Sequence, residues 1–226
     1  MYRILCIGAH PDDVEMGMGG TVALLTSQGY EVLILDLTDG EPTPHGSPEI
    51  RLKEAQKAAE ILRAQRLTLD MPNRYLEDTI ENRKKIAKVI REFRPNYIFA
   101  PYFDDAHPDH VAASKLADAA RFYAKLTKSD IPGEPFYPQR VIYYFPLHIR
   151  LRIMPSFLVD ISEYLEIKRQ AVYCYESQFF LSKRESILEL LFLENKYWGK
   201  QANVVAAEPF FQKEIPLYKK WPLGYQ

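Results

Sequence analysis

Apolar and polar positions follow two periods along this chain, and their alternation predicts the fold. Ile4-Leu5-Cys6-Ile7 is apolar on both faces, the pattern of a strand buried on both sides of a parallel sheet. Glu31 to Leu37 (EVLILDL) and Tyr97 to Ala100 (YIFA) share it, and Arg66 to Leu69 reads as a weaker short strand before the loop 70–74. Between these runs the period lengthens. Gly17 to Gln28 has helical content and closes at Gly29. Pro48 to Leu62 carries Ile50, Ala55, Ala58, Ala59 and Leu62 at helical spacing, and Thr79 to Phe93 carries Ile80, Ile86, Val89, Ile90 and Phe93 until Arg94-Pro95 stops it.

The second half continues the alternation. Val111 to Leu126 reads as a helix of small residues, Val141 to Phe145 as a fifth strand and Phe157 to Ile161 as a short sixth. Helices at Glu163 to Tyr175 and Arg184 to Gly199 precede an aromatic, proline-bearing tail. Residues 127–139 form a proline-rich excursion, and 147–155 a basic and apolar loop. There is no repeat and no low-complexity stretch. Strands alternating with helices predict an α/β fold, a doubly wound and mostly parallel sheet with helices on both faces, in one domain over residues 1–226. In such sheets ligands bind outside the carboxyl ends of the strands.

Composition narrows the partners. With 29 basic and 30 acidic residues the net charge is −1, which lacks the basic excess expected for nucleic acid or an anionic membrane surface. A small neutral or anionic ligand fits better. Cys6 and Cys174 both have apolar neighbours, which suits buried free thiols in a reducing compartment. No secretory signal precedes Ile4, and no apolar run approaches the roughly 20 residues of a membrane span. The expected location is cytoplasmic.

Two turns carry the chemistry. Ala9-His10-Pro11-Asp12-Asp13-Val14-Glu15 follows the first strand, and His107-Pro108-Asp109-His110 follows the fourth. Each alone also reads as a helix N-terminus, with proline in the first turn and aspartate capping amides. Together His10, Asp13 and His110 make the ligand set of an open catalytic zinc site, two imidazoles and a carboxylate. Asp12 is then left to accept a proton from water that the ion activates. His107 lies three residues before His110, placed to stabilise an oxyanion or protonate a leaving amine as an imidazolium. Asp109 reads either as the group that orients one of these imidazoles or as a simple cap.

These residues resemble a known family. His10-Pro11-Asp12-Asp13 with Gly19-Gly20-Thr21, Asp36-Leu37-Thr38 with Gly40-Glu41, Arg51, His107-Pro108-Asp109-His110 and Tyr175-Glu176-Ser177-Gln178-Phe179 are similar to the LmbE/PIG-L superfamily of zinc-dependent N-acetylglucosaminyl deacetylases. The similarity extends through Tyr197-Trp198-Gly199 and Ala207-Glu208-Pro209-Phe210, and looks nearest to the soluble bacterial branch that includes bacillithiol-pathway enzymes. It implies a Rossmann-like fold and one divalent metal held by His10, Asp13 and His110, zinc with iron or cobalt as substitutes. It also implies a base at Asp12, an electrostatic or acid role for His107 supported by Asp109, and a substrate contact at Arg51, which residue type alone would make a surface arginine. Hexamers are common among its soluble members. Many members read His-Pro-Asp-Asp-Glu where this chain has Val14 before Glu15.

The resulting expectation is removal of the acetyl group from an N-acetylglucosamine conjugate. The alternatives are an amidase acting on a non-sugar N-acyl substrate and a silent metal-dependent amino-sugar-binding protein; Asp12 and His107 argue against the last, because binding needs no base. His45 and His148 read as solvated loop histidines, and Tyr143, Tyr144 and Phe145 as core. Gly17-Met18-Gly19-Gly20 lacks the spacing of a dinucleotide loop. The aromatic C-terminal third (Phe179, Phe180, Phe192, Tyr197, Trp198, Phe210, Phe211, Trp221) reads equally as a homo-oligomer surface or as an extra core layer.

Overall fold

The computed structural model describes residues 2–145, 148 and 154–215. Within the apolar runs alternate side chains enter opposite cores, which is why both faces had to be apolar. In β1 (Arg3–Gly8), Leu5 and Ile7 join Ile86 and Ile90 of α3 (Ile80–Phe93) and the alanine face of α4 (Pro108–Ala124). Ile4 and Cys6 join the opposite layer with Val22 of α1 (Asp13–Ser27) and Ala55, Ala58 and Leu62 of α2 (Pro48–Leu62). Each helix therefore covers one face, and the sheet is doubly wound as the periodicity predicted.

The remaining strands are β2 (Glu31–Asp36), β3 (Gln65–Thr68), β4 (Tyr97–Pro101), β5 (Arg140–Tyr144), β6 (Phe157–Asp160) and β7 (Ala207–Phe211). The seven-stranded order is β3-β2-β1-β4-β5-β7-β6. Pairs from β3 to β5 are parallel, and β7 is antiparallel to both neighbours. The winding runs outward from β1 to β3 and returns to place β4 on the other side of β1. The crevice at the carboxyl ends of β1 and β4 is thus the switch point where such sheets bind ligands.

Two elements escaped the sequence pattern, β7 and a short helix after Tyr175, and α1 is longer than it reads. β7 lies in the segment read as a tail, because Pro209 argues against an interior strand. The register resolves the conflict: β5 pairs only through Tyr143 with Phe211 and Tyr144 with Phe210, so the missing N–H falls outside that ladder. The helix α1 begins four residues earlier than its periodicity, since the chain is non-helical at Met18 (φ −149°) and only the second half reads as regular. Between α5 (Leu165–Tyr173) and α7 (Glu185–Gln201) a short helix α6 (Glu176–Phe179) is pinned to α2, the Ser177 amide and hydroxyl both donating to Glu54 at 2.7 Å.

The aromatic third divides between its two readings. Phe179, Phe192 and Phe210 are buried in the core, whereas Tyr197 is exposed; Trp221 lies outside the described residues. Tyr143 and Tyr144 are core as expected. Cys6 is buried and free, but Cys174 is only partly buried, a correction to the expectation of two buried thiols.

Candidate metal centre

Both His/Asp turns sit at the β1/β4 crevice. Strand β1 ends at Gly8, and the following residues are tied to the end of β2: the Leu37 amide donates to Gly8 O at 2.9 Å, and the Thr38 amide and hydroxyl to Ala9 O at 3.1 and 2.9 Å. The chain then reverses sharply. His10 N donates to Asp13 Oδ2 at 2.9 Å, and Asp12 takes φ 112°, a left-handed value unfavourable for a side chain. Asp12 stands at the N-cap of α1 yet makes no side-chain cap bond. Its carboxylate instead lines the cleft, 3.5 Å from Arg51 Nη1.

The second turn is an ordinary helix start. Pro108 occupies the first turn of α4, and His107 caps it, its Nδ1 accepting from the Asp109 amide at 3.2 Å. His110 then points back across the crevice, with Nε2 3.1 Å from Asp13 Oδ1. Ligand atoms of His10, Asp13 and His110 all lie within 4.8 Å of one another.

The other ring nitrogens decide which atoms are free for a metal. Asp109 Oδ2 sits 3.1 Å from His10 Nε2, and both Asp109 oxygens are fixed by the amides of Arg74 (2.7 Å) and Leu76 (3.3 Å). Asp109 therefore orients His10, where the resemblance had it supporting His107. Asp105, its side chain shielded from solvent, pairs with His110 Nδ1. His10 Nδ1 and His110 Nε2 remain, facing Asp13, and the buried His110 Nε2 is within ion-pair distance of Asp13 Oδ1 without the alignment of a hydrogen bond. An orphaned imidazole nitrogen beside a buried carboxylate, with both rings held from behind, is the donor set a divalent ion requires. The residues fit the metal.

The charges behave accordingly. Burial alone would push both imidazoles down, but Asp13 outweighs it: with Asp109 it carries His10 up to about 9, and with Asp105 it carries His110 up to about 10. Asp13 is held well below the usual carboxylate range, since His110 and His10 overcome its burial. Without a metal, protons on the two rings supply the positive charge that the carboxylate demands. Burial pushes Asp12 up to about 6 against the pull of Arg51. Burial and the charges of His110 and His10 push His107 down to about 4. That favours the neutral ring over the expected imidazolium, and because Nδ1 accepts from Asp109 N, the proton is on Nε2.

Arg51 is not a surface arginine. It is 2% exposed, donates to Pro11 O at 2.5 Å, and lies over the Tyr175 ring at 5.5 Å. Tyr175 donates in turn to Glu15 (3.0 Å), and Glu15 and Asp36 share Arg66 below. Gly40 leaves room for the guanidinium, since a Cβ there would meet Arg51 Nη2 at 2.8 Å. Arg51 and Asp12 line a cleft of ≈ 450 Å³ whose walls include Arg74, His107 and Gln178. His148 also faces it, 3.8 Å from Asp105 and ring-to-ring with His110, so it is a site residue despite its loop position. His45 is exposed, and most of the basic loop Leu147 to Met154 lies outside the described residues. Sequence reasoning missed Asp105; its only signal was an acidic pair two residues before His107.

Residues 5–121 match the family model described as PIG-L, GlcNAc-PI de-N-acetylase. Diacetylchitobiose deacetylase of Thermococcus kodakarensis is 37% identical over 195 residues, 78% of this chain and 70% of that protein. A 4-oxalmesaconate hydratase of Pseudomonas putida is 29% identical over 77% of this chain and 73% of its own length. The crystal structure of the conserved protein TT1542 from Thermus thermophilus superposes with a TM-score of 0.90 at 40% identity, covering 98% of this chain and 99% of that one.

Proposed function

The chain belongs to the PIG-L de-N-acetylase family, and from that premise we propose that it is a zinc-dependent hydrolase that deacetylates an N-acetylglucosamine-containing small molecule. Acetate and a free amino sugar are the products. The observation that carries this reading is the convergence of His10, Asp13 and His110 beside Asp12 and His107 in one cleft. When bound, one divalent ion per subunit, zinc or in its place iron or cobalt, supplies Lewis acidity toward the acetyl carbonyl and lowers the pKa of water.

The side chains do the rest. Asp12, its carboxyl pushed up to about 6 by burial, takes the proton of the attacking water and returns it to the nitrogen as the C–N bond breaks. His107 donates Nε2–H to the oxyanion, and its neutral form is favoured in a site that already gathers positive charge. Asp109 and Asp105 hold the rings of His10 and His110. Arg51 contacts the sugar from the cleft wall. Among the described residues no helix is long and apolar enough to cross a membrane, and the thiols are free, which supports a cytoplasmic location. Exposed Leu193 and Tyr197, one turn apart on α7, support a homo-oligomer.

Acetate release from N-acetylglucosamine conjugates by the zinc-loaded protein, with Asp12→Ala as control, tests the reading. Equal release by both proteins would remove Asp12 as base. Cleavage confined to non-sugar N-acyl amines would make the protein a different amidase, and binding without cleavage would make it a binding protein. Acetate also separates deacetylation from hydration, which releases none.

A further inference from the structure

Beyond Asp13 and His110, on the side away from Arg51, lies a second and much smaller space of ≈ 30 Å³. It shares Asp13, Met16, His110 and His148 with the main cleft, so the two meet at the metal ligands. Asp12, His107 and Arg51 line only the larger one. The other walls of the small space are Gly17, Pro101, Tyr144 and Phe145. Resting on the deacetylase reading, we infer that this space is the acyl pocket, sized for the methyl of an acetyl group, and that Met16, Tyr144 and Phe145 set the limit on acyl length.

Chemistry and size both support this. A substrate whose amide carbonyl sits at the metal ligands must send its sugar and its acyl chain in opposite directions. The cleft of ≈ 450 Å³ accommodates a sugar conjugate, and its wall mixes polar and apolar groups about equally; the small space offers mainly aromatic carbon, proline and thioether. A single water needs roughly 10–15 Å³ of such volume and a methyl group is larger than a water, so ≈ 30 Å³ is little more than one methyl requires.

The walls are fixed. Tyr144 is 2% exposed, and its hydroxyl donates to Ile7 O at 2.9 Å, locking the ring against β1. Position 17 must lack a side chain, because a Cβ there would lie 2.2 Å from Tyr144 Cδ2. Phe145 stacks on Tyr102 with ring centroids 5.0 Å apart. Met16, in the first turn of α1 and partly exposed, is an unbranched and adaptable wall. An added methylene therefore meets rigid rings, a mismatch that costs on the order of tenfold or more in discrimination.

The test is a comparison of N-acetyl-, N-propionyl- and N-butyryl-glucosamine conjugates with zinc-loaded wild type, Met16→Ala and Met16→Leu. Wild type is expected to lose at least about tenfold in kcat/KM per added methylene. Met16→Ala should recover about tenfold or more toward the butyryl substrate relative to the acetyl one, while Met16→Leu, which keeps the volume, should keep the wild-type order of acyl preference. In parallel, thermal shifts with acetate, propionate and butyrate read the pocket without turnover, and acetate should stabilise the wild type most. Equal use of all three acyl groups, or a Met16→Ala variant slowed in the same proportion on all of them, would overturn the acyl pocket. If no conjugate is cleaved at all, the deacetylase reading fails instead, and the carboxylate series still decides whether the pocket selects by length.

Discussion

Two turns with nearly the same sequence, His10-Pro11-Asp12-Asp13 and His107-Pro108-Asp109-His110, end neighbouring strands and open helices, yet the chain uses them differently. The second is relaxed: His107 is both the cap of α4 and a wall of the cleft, and helix formation alone would place it. The first is strained. Asp12 has φ 112°, well beyond the 53–69° of the other positive-φ non-glycine residues among those described, and gives up capping to turn its carboxylate toward the cleft. Backbone in such a region costs about 1–3 kcal/mol and persists only where neighbours hold it. Here the neighbours are Arg51 on Pro11 O, the Asp13 carboxylate on His10 N, and the Met16 amide on Asp12 O at 2.9 Å. A cap can be a by-product of helix geometry. A residue that forgoes its cap at a cost in strain is better explained by the site than by the helix.

The largest effect expected from this contrast is at Asp12. Asp12→Ala should lower kcat by roughly 10²–10⁴-fold with zinc content unchanged, as for loss of a general base, whereas Asp13→Ala should lose the zinc itself. Metal analysis of the purified variants beside acetate release checks both. If Asp12→Ala emptied the site while remaining folded, the division between the two aspartates would fail.

Next in size are the carboxylates behind the imidazoles. Asp109→Asn and Asp105→Asn should each weaken zinc binding by about 10–100-fold, measured by competition with a chelator. An unchanged affinity in Asp105→Asn would make its contact with His110 incidental.

The protonated rings of the metal-free site give a pH prediction. His10 and His110 have pKa values raised above the ordinary 6.5, so the stability they contribute is fully present below that pH and is lost as pH rises through about 9 and 10. Metal-free protein should thus melt at progressively lower temperature across that alkaline range, while zinc-loaded protein should not, because the ion replaces the protons. The same linkage makes zinc affinity rise with pH. Among the side chains around Asp12 in the metal-free protein, Arg51 is the largest influence lowering its pKa, so Arg51→Ala should move the acid limb of kcat/KM to higher pH.

The smallest effects bear most directly on the two turns. Asp12→Gly should stabilise the metal-free fold, by about 1 kcal/mol, because glycine tolerates the positive φ. His107→Ala should destabilise it by about as much through loss of a cap. Opposite signs in chemical denaturation would bear out the contrast between a strained and a relaxed turn; equal signs would break it.

Most of this was legible in the chain because periodicity is a local property. The runs at Ile4, Glu31 and Tyr97 read as buried strands from their own residues, and the His/Asp pairs followed from position at strand ends. The misses have a common cause. Pro209 disguised β7, whose pairing partners lie some fifty residues and more away in sequence, and Met18 interrupted the period of α1. Arg51 looked like one more helix arginine, since nothing in Glu49-Ile50-Arg51 records the Pro11 carbonyl it meets. His148 and Asp105 read as loop residues for the same reason.

The sequence by itself determined the α/β class, the two turns and the residue types of a metal site, since each depends on neighbours within a few positions. Only the tertiary structure decided which imidazole each carboxylate holds, which nitrogens are left to face Asp13, and that Arg51 stabilises the Asp12 turn. Those assignments depend on distances between residues up to a hundred positions apart, and such distances are set by how β1, β2 and β4 pack against one another.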